Sequence, residues 1–500
     1  MPDWSPGVTG TPRPAPARRW HRPRLVNYSV RAVAVAGFVV AAAVITSAVP
    51  ALGTGGQAIP ARTGFGAAVT VYHGNALGTG LENPTTALRP LRPLWRSPKL
   101  DGDLFGEPLV YGGVVFAATE NDTVYGVAAD SGSVLWSIHI AAPVPTRDLS
   151  CGDISPTVGV TGTPVIDPAR HEIFVVADEL EGSGASHYLV GLDISSGRIE
   201  LNEAVNPPRS IPTALLQRSG LTLDEGRVII GFGGNYGDCG TYHGTVAAVP
   251  EGGGVPKYYV ADGAADEREG AVWMGGGAPL VDADGNIWFS VGNGSESNPP
   301  YDYSDSVIEL SSSLRRRQFF APTSWAQDNR TDADLGSTPP AFVGNYVLQV
   351  GKGHIGYLMN RNHLGGIGGQ VAEMPLCNKD PDGGLAVHGS IIYVPCGDGV
   401  TAVRITDRAP YMSVLWTAPA TNGVPINGPP IFASGLVWSL DAYGTLWGIN
   451  PANGAPVIQE HTNAGEPNHF PTPTVADGLL IMPTTDQLYA WEGPAGAPHG

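Results

Sequence analysis

The residues best suited to chemistry in this chain are few, and their spacing removes most of the usual reactions. Four cysteines, Cys151, Cys239, Cys377 and Cys396, include no Cys-x-x-Cys, so neither a dithiol redox motif nor a tight zinc knuckle is present. The absence of Cys-x-x-Cys-His also excludes covalent haem attachment. The 12 histidines show no metal-ligand spacing, and no Ser/His/Asp constellation can be assembled from the sequence. The run "VDADGN" (Val281–Asn286) imitates the start of a calcium loop, but no ligating Glu follows at the required distance. It reads as an Asp-Gly hairpin turn.

Any chemistry must therefore come from carboxylates, amides and aromatics that the fold brings together. The elements that do so repeat. "NDTVYGVAADSGSVLW" (Asn121–Trp136) returns as "YGTLWGINPANGAPVI" (Tyr443–Ile458): polar turn, apolar strand, Asp/Asn-Gly turn, second strand. Each copy follows a Gly/Pro-led strand, tight turn and apolar strand, as in "GEPLVYGGVVFAATE" from Gly106 or "GPPIFASGLVWSLDAYG" from Gly428. Eight such units recur roughly every 45–60 residues, which is the signature of propeller blades. The last copy stops at "DQLYAWEG" without its final strand, and "PLRPLWRSP" (Pro90–Pro98), upstream of the first copy, resembles that missing strand. The expected fold is all-β: an eight-bladed propeller of four-stranded antiparallel blades over 85–493, closed by the N-terminal strand and leaving few exposed edges.

Composition agrees. Gly (68) and Pro (45) are frequent, charged residues make up 15% and hydrophobics 42%, too apolar for disorder and too rich in turn formers for a helical protein. Residues 1–50 hold six of the 28 basic and one of the 46 acidic residues, so the remainder carries a net charge of −23. Such a body repels nucleic acid and anionic lipid. The N-terminus joins the basic "RPAPARRWHRPRLVNYSVR" to the apolar "AVAVAGFVVAAAVITSAVPAL", which reads as an export signal or signal anchor over 1–52. A flexible linker is expected over 53–84 and a tail over 494–500. The body then faces an extracytoplasmic space, attached to the membrane only through that segment if it is retained.

An oxidising compartment suits structural disulfides, and the repeats suggest how four cysteines pair. Cys377 and Cys396 flank the start of one blade and close a short loop. Cys151 and Cys239 lie in polar "CGD" and "GDCG" segments of neighbouring repeats, so the expected bridges are 151–239 and 377–396.

The repeated "YGVAADSG", "VGLDISSG" and "WGINPANG" turns, with "CGDISPTVGVTGTPVIDP", resemble quinoprotein alcohol dehydrogenase-like propellers, also called PQQ-like repeat proteins. The stretch "AVWMGGGAPLVDADGNIWFSVGNGSESNPPYDYSDSVIEL" is similar to their segment carrying a stacking tryptophan and a calcium-binding asparagine. The resemblance implies Trp273 beneath a quinone and Asn293 on calcium, with Asp332 or Asp334 in "DNRTDADLGS" as the base. Glu181, beside Glu179, is the nearest candidate for the family's calcium glutamate. The comparable turn "GGNYGDCGTYHG" offers Asn235 and Asp238 but no Glu, and the adjacent cysteine pair that caps the quinone in those enzymes is missing.

Two functions remain. One is an exported, monomeric propeller that binds a small molecule or an envelope protein as a scaffold, as relatives do in outer-membrane protein assembly. The other is a calcium- and pyrroloquinoline-quinone-dependent dehydrogenase of alcohols or sugars. Whether Trp273, Asn293 and Asp332/Asp334 converge distinguishes them.

Overall fold

The computed structural model describes residues 68–82, 87–182, 184–261, 267–295, 297–462 and 468–494. The predicted export segment, the first part of the linker and most of the tail lie outside these residues. Among the described residues no helix is long and apolar enough to cross a membrane.

Eight sheets built on four antiparallel strands follow one another along the chain, one for each sequence repeat. Blade 1 is Leu109–Tyr111, Val114–Ala118, Thr123–Ala128 and Val134–His139; blades 2 to 7 repeat the order, with Leu215–Leu216 added to blade 3 and Gly366–Ile367 added to blade 4 by parallel pairing with Arg316–Ala321. Burial explains the apolar pattern of each unit. In blade 1 the second and third strands are buried along their whole length, whereas the outer strand alternates exposed and half-buried positions. Strands covered on both faces need continuous apolar sequence, and an outermost strand needs it only on alternate residues.

Blade 8 takes Thr474–Ala476, Leu479–Pro483 and Leu488–Glu492 from the C-terminus, and Arg92–Arg96 from the N-terminus. Arg92 pairs with Glu492 and Arg96 with Tyr489, so the lone upstream strand does fill the place missing from the last repeat.

The repeated turns have a shared packing task. Trp95 donates from Nε1 to the Ala129 carbonyl at 2.8 Å, and its ring covers Gly132 of blade 1. Trp136 of blade 1 does the same to Ile194 and Gly197 of blade 2, and Trp416 of blade 6 to Pro451 and Gly454 of blade 7. These glycines have φ of +69°, +71° and +74°, and a Cβ on any of them would strike the indole. Glycine is therefore required both for the turn and for the ring above it.

The expected linker proves to be more than a spacer. Over 68–82 the chain runs around the inside of the ring and bonds to inner strands in blade order. Val69 exchanges two hydrogen bonds with Val110; Ile166 donates to Thr70, Val281 to Ala76, Val387 to Thr79 and Phe432 to Gly80, at 2.7–2.9 Å. The Val475 N–H completes the circuit at the Glu82 carboxylate. Tyr72 and His73, midway along, are fully buried. The composition of this stretch, rich in small residues, hid a plug that fills the channel at the level of the inner strands.

Both expected disulfides form, Cys151–Cys239 and Cys377–Cys396. Cys151 lies on a strap between the strands Val144–Pro145 and Thr157–Val158, which the bridge ties to the loop following the second main strand of blade 3.

Candidate functional site

In this topology the lead-in to each inner strand and the loop after each second strand lie at the same end of the ring. Trp273 precedes the inner strand of blade 4, Asn293 follows its second strand, Asp332 and Asp334 lead into blade 5, and Lys352 follows the second strand of blade 5. Sequence reading missed Lys352; a lone Lys after a buried strand, in a chain with so few lysines, was the available signal.

Local structure sets each side chain. Asp332 caps the helix Trp325–Thr331 in a left-handed conformation (φ 55°), its N–H bonded to the Asp328 carbonyl. Two residues on, Asp334 opens the turn Leu335–Ser337. Gly292 has no space for a Cβ because Asp334 Oδ1 occupies it, and this close approach lets the Asn293 N–H donate to Oδ1 at 2.8 Å. Lys352 donates its backbone N–H to the Asp334 carbonyl at 2.9 Å and its Nζ to Asp334 Oδ2 at 2.7 Å. Nζ also sits 5.1 Å from the centre of the Trp273 ring, within cation–π reach. Trp273, Asn293, Asp332 and Asp334 thus come together.

The side-chain amide of Asn293 meets Oδ1 of Asp334 and, at 3.2 Å, Oδ1 of Asp332. Turned with its nitrogen towards them it donates to both carboxylates; turned the other way, its oxygen would join theirs around a cation. An amide and two carboxylates form a hard-cation donor set. Calcium therefore fits here in donor type, although Lys352 already neutralises one oxygen of Asp334 and other ligands would have to come from solvent or a bound molecule.

The surroundings are acidic. Burial raises the Asp238 carboxyl, with Asp334 adding to the effect, and burial likewise raises Asp332. Burial, with Asp238 nearby, pushes Glu269 up to about 7, and burial holds Asp382 at about 7. For Lys352 burial acts downward, but the charge and hydrogen bond of Asp334 outweigh it and the ammonium is stabilised.

Glu181 is not part of this group. It ends the strand Glu172–Glu181 and accepts from Ser186 Oγ (3.1 Å) and the Tyr188 hydroxyl of the same blade 2 hairpin. Glu179 lies in a separate buried acid cluster with Glu120, Asp122 and Asp178. Among the described residues no three His, Cys, Asp or Glu side chains are placed to hold a metal. The site has two carboxylates and an amide, and the expected glutamate is absent from it. Asp238, next to the Cys151–Cys239 bridge, accepts from the Tyr242 hydroxyl and lies within electrostatic range of Asp334.

Comparison with known proteins gives the same architecture. The profile of the family described as outer membrane protein assembly factor BamB matches residues 61–230. No curated protein matches the sequence. The quinohemoprotein alcohol dehydrogenase of Comamonas testosteroni superposes with a TM-score of 0.64 at 13% identity, over 87% of this chain and 82% of that one. A europium-containing methanol dehydrogenase gives 0.61 at 12%, over 85% and 98%. BamB of Moraxella catarrhalis gives 0.53 at 16%, over 82% and 99%. The chain is a PQQ-like β-propeller of eight blades. At these identities the structural likenesses speak for fold, and function must be argued from the site.

Proposed function

We propose that this is an extracytoplasmic propeller, attached or exported through its N-terminal apolar segment, which binds a planar quinone cofactor with a calcium-type cation and oxidises an alcohol or sugar. The observation that carries this reading is the meeting of Trp273, Asn293, Asp332, Asp334 and Lys352 at one end of the channel. Asn293 Oδ1 and the two carboxylates are the oxygens available to a hard cation. Trp273 offers an aromatic wall, and Lys352 a fixed positive charge beside it. When bound there, pyrroloquinoline quinone would supply a hydride acceptor, with calcium as a Lewis acid, while Trp273, Asn293 and the two aspartates hold and orient them.

The two aspartates divide the work. Both oxygens of Asp334 are engaged, by Lys352 and by the Asn293 N–H, so it serves as anchor. Asp332 stands on a left-handed cap with its carboxyl raised by burial, closer to the pH at which it must take a proton. Asp332 is therefore the general base for the substrate hydroxyl. Reconstitution with calcium and pyrroloquinoline quinone should give dye reduction with some alcohol or sugar. Absence of turnover across a substrate panel, with cofactor demonstrably bound, would reject the catalytic part.

A second reading, a protein-binding scaffold at the envelope, is favoured by a different observation. Tyr236, Tyr443 and Val255 stand 73%, 61% and 86% exposed, and the fold covers nearly all of a BamB chain. It becomes the better account if no cofactor binds.

A further inference from the structure

We propose that Arg218 is a second recognition point in the channel and takes the carboxylate of a small aromatic acid. Arg218 leads into the inner strand of blade 3 and is only 7% exposed. It reaches across the ring: Nη2 donates to the His469 carbonyl of the blade 8 lead-in, and the guanidinium carbon lies 5.6 Å from the Phe105 ring and 5.9 Å from the Phe470 ring. Nη1 and Nη2 fill the space a side chain on Gly276 would need, so blade 4 approaches with bare backbone.

Among the described residues Arg218 makes one hydrogen bond, from Nη2 to the His469 carbonyl, and forms no ion pair. A guanidinium held this far from water is costly unless a counter-charge arrives. The acids in electrostatic range, Glu120, Asp153 and Asp382, do not reach it. Burial raises Glu120 to about 8 and Asp382 to about 7, so near neutrality much of the neighbouring negative charge is suppressed by protonation. An incoming anion therefore meets an under-compensated guanidinium.

Shape narrows the class. A guanidinium with free donors matches a carboxylate in a planar, two-point contact. Phe105 and Phe470 are half-buried beside it, and Phe470 lies 6.3 Å from Trp273, so aromatic surface runs from Arg218 towards Lys352. A flat ring bearing one carboxylate uses both features. The inference does not depend on a quinone or a metal binding at Asn293.

The test is calorimetric titration of the whole exported propeller, without quinone or calcium, using benzoate and its neutral isostere benzamide. Benzoate should bind at least tenfold more tightly than benzamide, and Arg218→Gln should weaken benzoate at least tenfold while the exposed control Arg198→Gln retains it. Equal affinities, no benzoate binding, or full retention of benzoate binding in Arg218→Gln would each overturn the proposal. If Arg218→Gln does not fold, Arg218→Lys, which keeps the charge but loses the planar two-point contact, should weaken benzoate, and unchanged affinity there overturns the proposal.

Discussion

Lys352 Nζ lies 2.7 Å from Asp334 Oδ2, with the Lys352 side chain 22% exposed and that of Asp334 7% exposed. The pair joins the second strand of blade 5 to the lead-in that precedes it, and holds Asp334 where the Asn293 N–H can also reach it. Removing one member leaves the other charge poorly solvated. Asp334→Ala should cost about 2 kcal/mol of stability, below the ~3–5 kcal/mol of a fully dry pair because Lys352 keeps some water. Asp334→Leu with Lys352→Met should recover most of that loss. Denaturant titration of the single and double variants measures it; equal stability of Asp334→Ala and the parent would contradict the role given to the pair.

Asp332 and Asp334 should separate in function. Asp332→Asn keeps an oxygen for calcium and should weaken its binding only a few-fold, but turnover of the loaded protein should fall at least a hundredfold, the usual scale for a general base. Asn293→Ala should weaken calcium binding instead. Calcium affinities and single-turnover rates for the two variants form the check, and loss of calcium binding in Asp332→Asn with normal turnover of the loaded fraction would reverse the assignment.

Ring closure depends on more than the strand Arg92–Arg96. A chain beginning at residue 68 retains the plug and that strand, whereas one beginning at residue 87 retains only the strand. The first should unfold at the temperature of the full-length chain, and the second several degrees lower, because unpaired N–H and C=O groups of the inner strands are left behind. Trp95→Ala should cost about 2 kcal/mol by uncovering Gly132 and the blade 8–blade 1 joint. Thermal scans of the parent, the two truncations and Trp95→Ala test both statements; identical midpoints for the two truncations would exclude the plug as a structural element.

Stability should fall with rising pH above neutrality. Burial holds Glu107 and Glu120 at about 8 and raises Asp122 and Asp178 well above the carboxylate range. Between their unfolded and folded pKa values the folded chain carries more protons than the unfolded one, so raising the pH favours unfolding. Burial also lowers His73 to about 3 and His187 to about 4, which acts in the opposite sense but only until an unfolded histidine has lost its proton, about one unit above its ordinary 6.5. The acids act alone from about pH 7.5 to about pH 8.5, and the unfolding temperature should drop across that window. Glu120→Gln should flatten the slope, and a rising midpoint would contradict the buried-acid account.

The disulfides offer an independent check. They span 88 and 19 residues, and loop entropy assigns them about 4.5 and about 3 kcal/mol. Replacing Cys151 and Cys239 by Ala should therefore destabilise more than replacing Cys377 and Cys396, and should also free the strap that ends beside Asp238. The reverse order in denaturant midpoints would show that native-state contacts, not chain entropy, dominate.

Much of the architecture was legible because propeller packing writes itself locally. The Asp/Asn-Gly turns are constrained by a positive φ and an indole, and the buried strands by apolar continuity; both recur at fixed intervals. The strand around Trp95 could be recognised from what the last repeat lacked. The plug could not. It is held largely by main-chain hydrogen bonds to five blades, which need no particular side chains and leave no period, and a single carboxylate, that of Glu82, reaches the sixth. Trp273, Asn293 and the two aspartates were legible through resemblance alone, since residues 20 and 41 positions apart share no element. Lys352 and Arg218 went unseen for the same reason: each acts across the ring, on residues far away in the chain. Glu181 was misplaced because one acidic residue near a glycine turn looks like another until the hairpin carries it away.

Calorimetric titration of pyrroloquinoline quinone into the whole chain with calcium present decides whether the group around Asn293 holds a quinone through calcium. The expected outcome is saturable heat with one quinone per chain, abolished by omitting calcium and weakened at least tenfold by Asn293→Ala. No heat and no protection against thermal unfolding at high micromolar quinone would contradict it, and would leave the scaffold reading in its place.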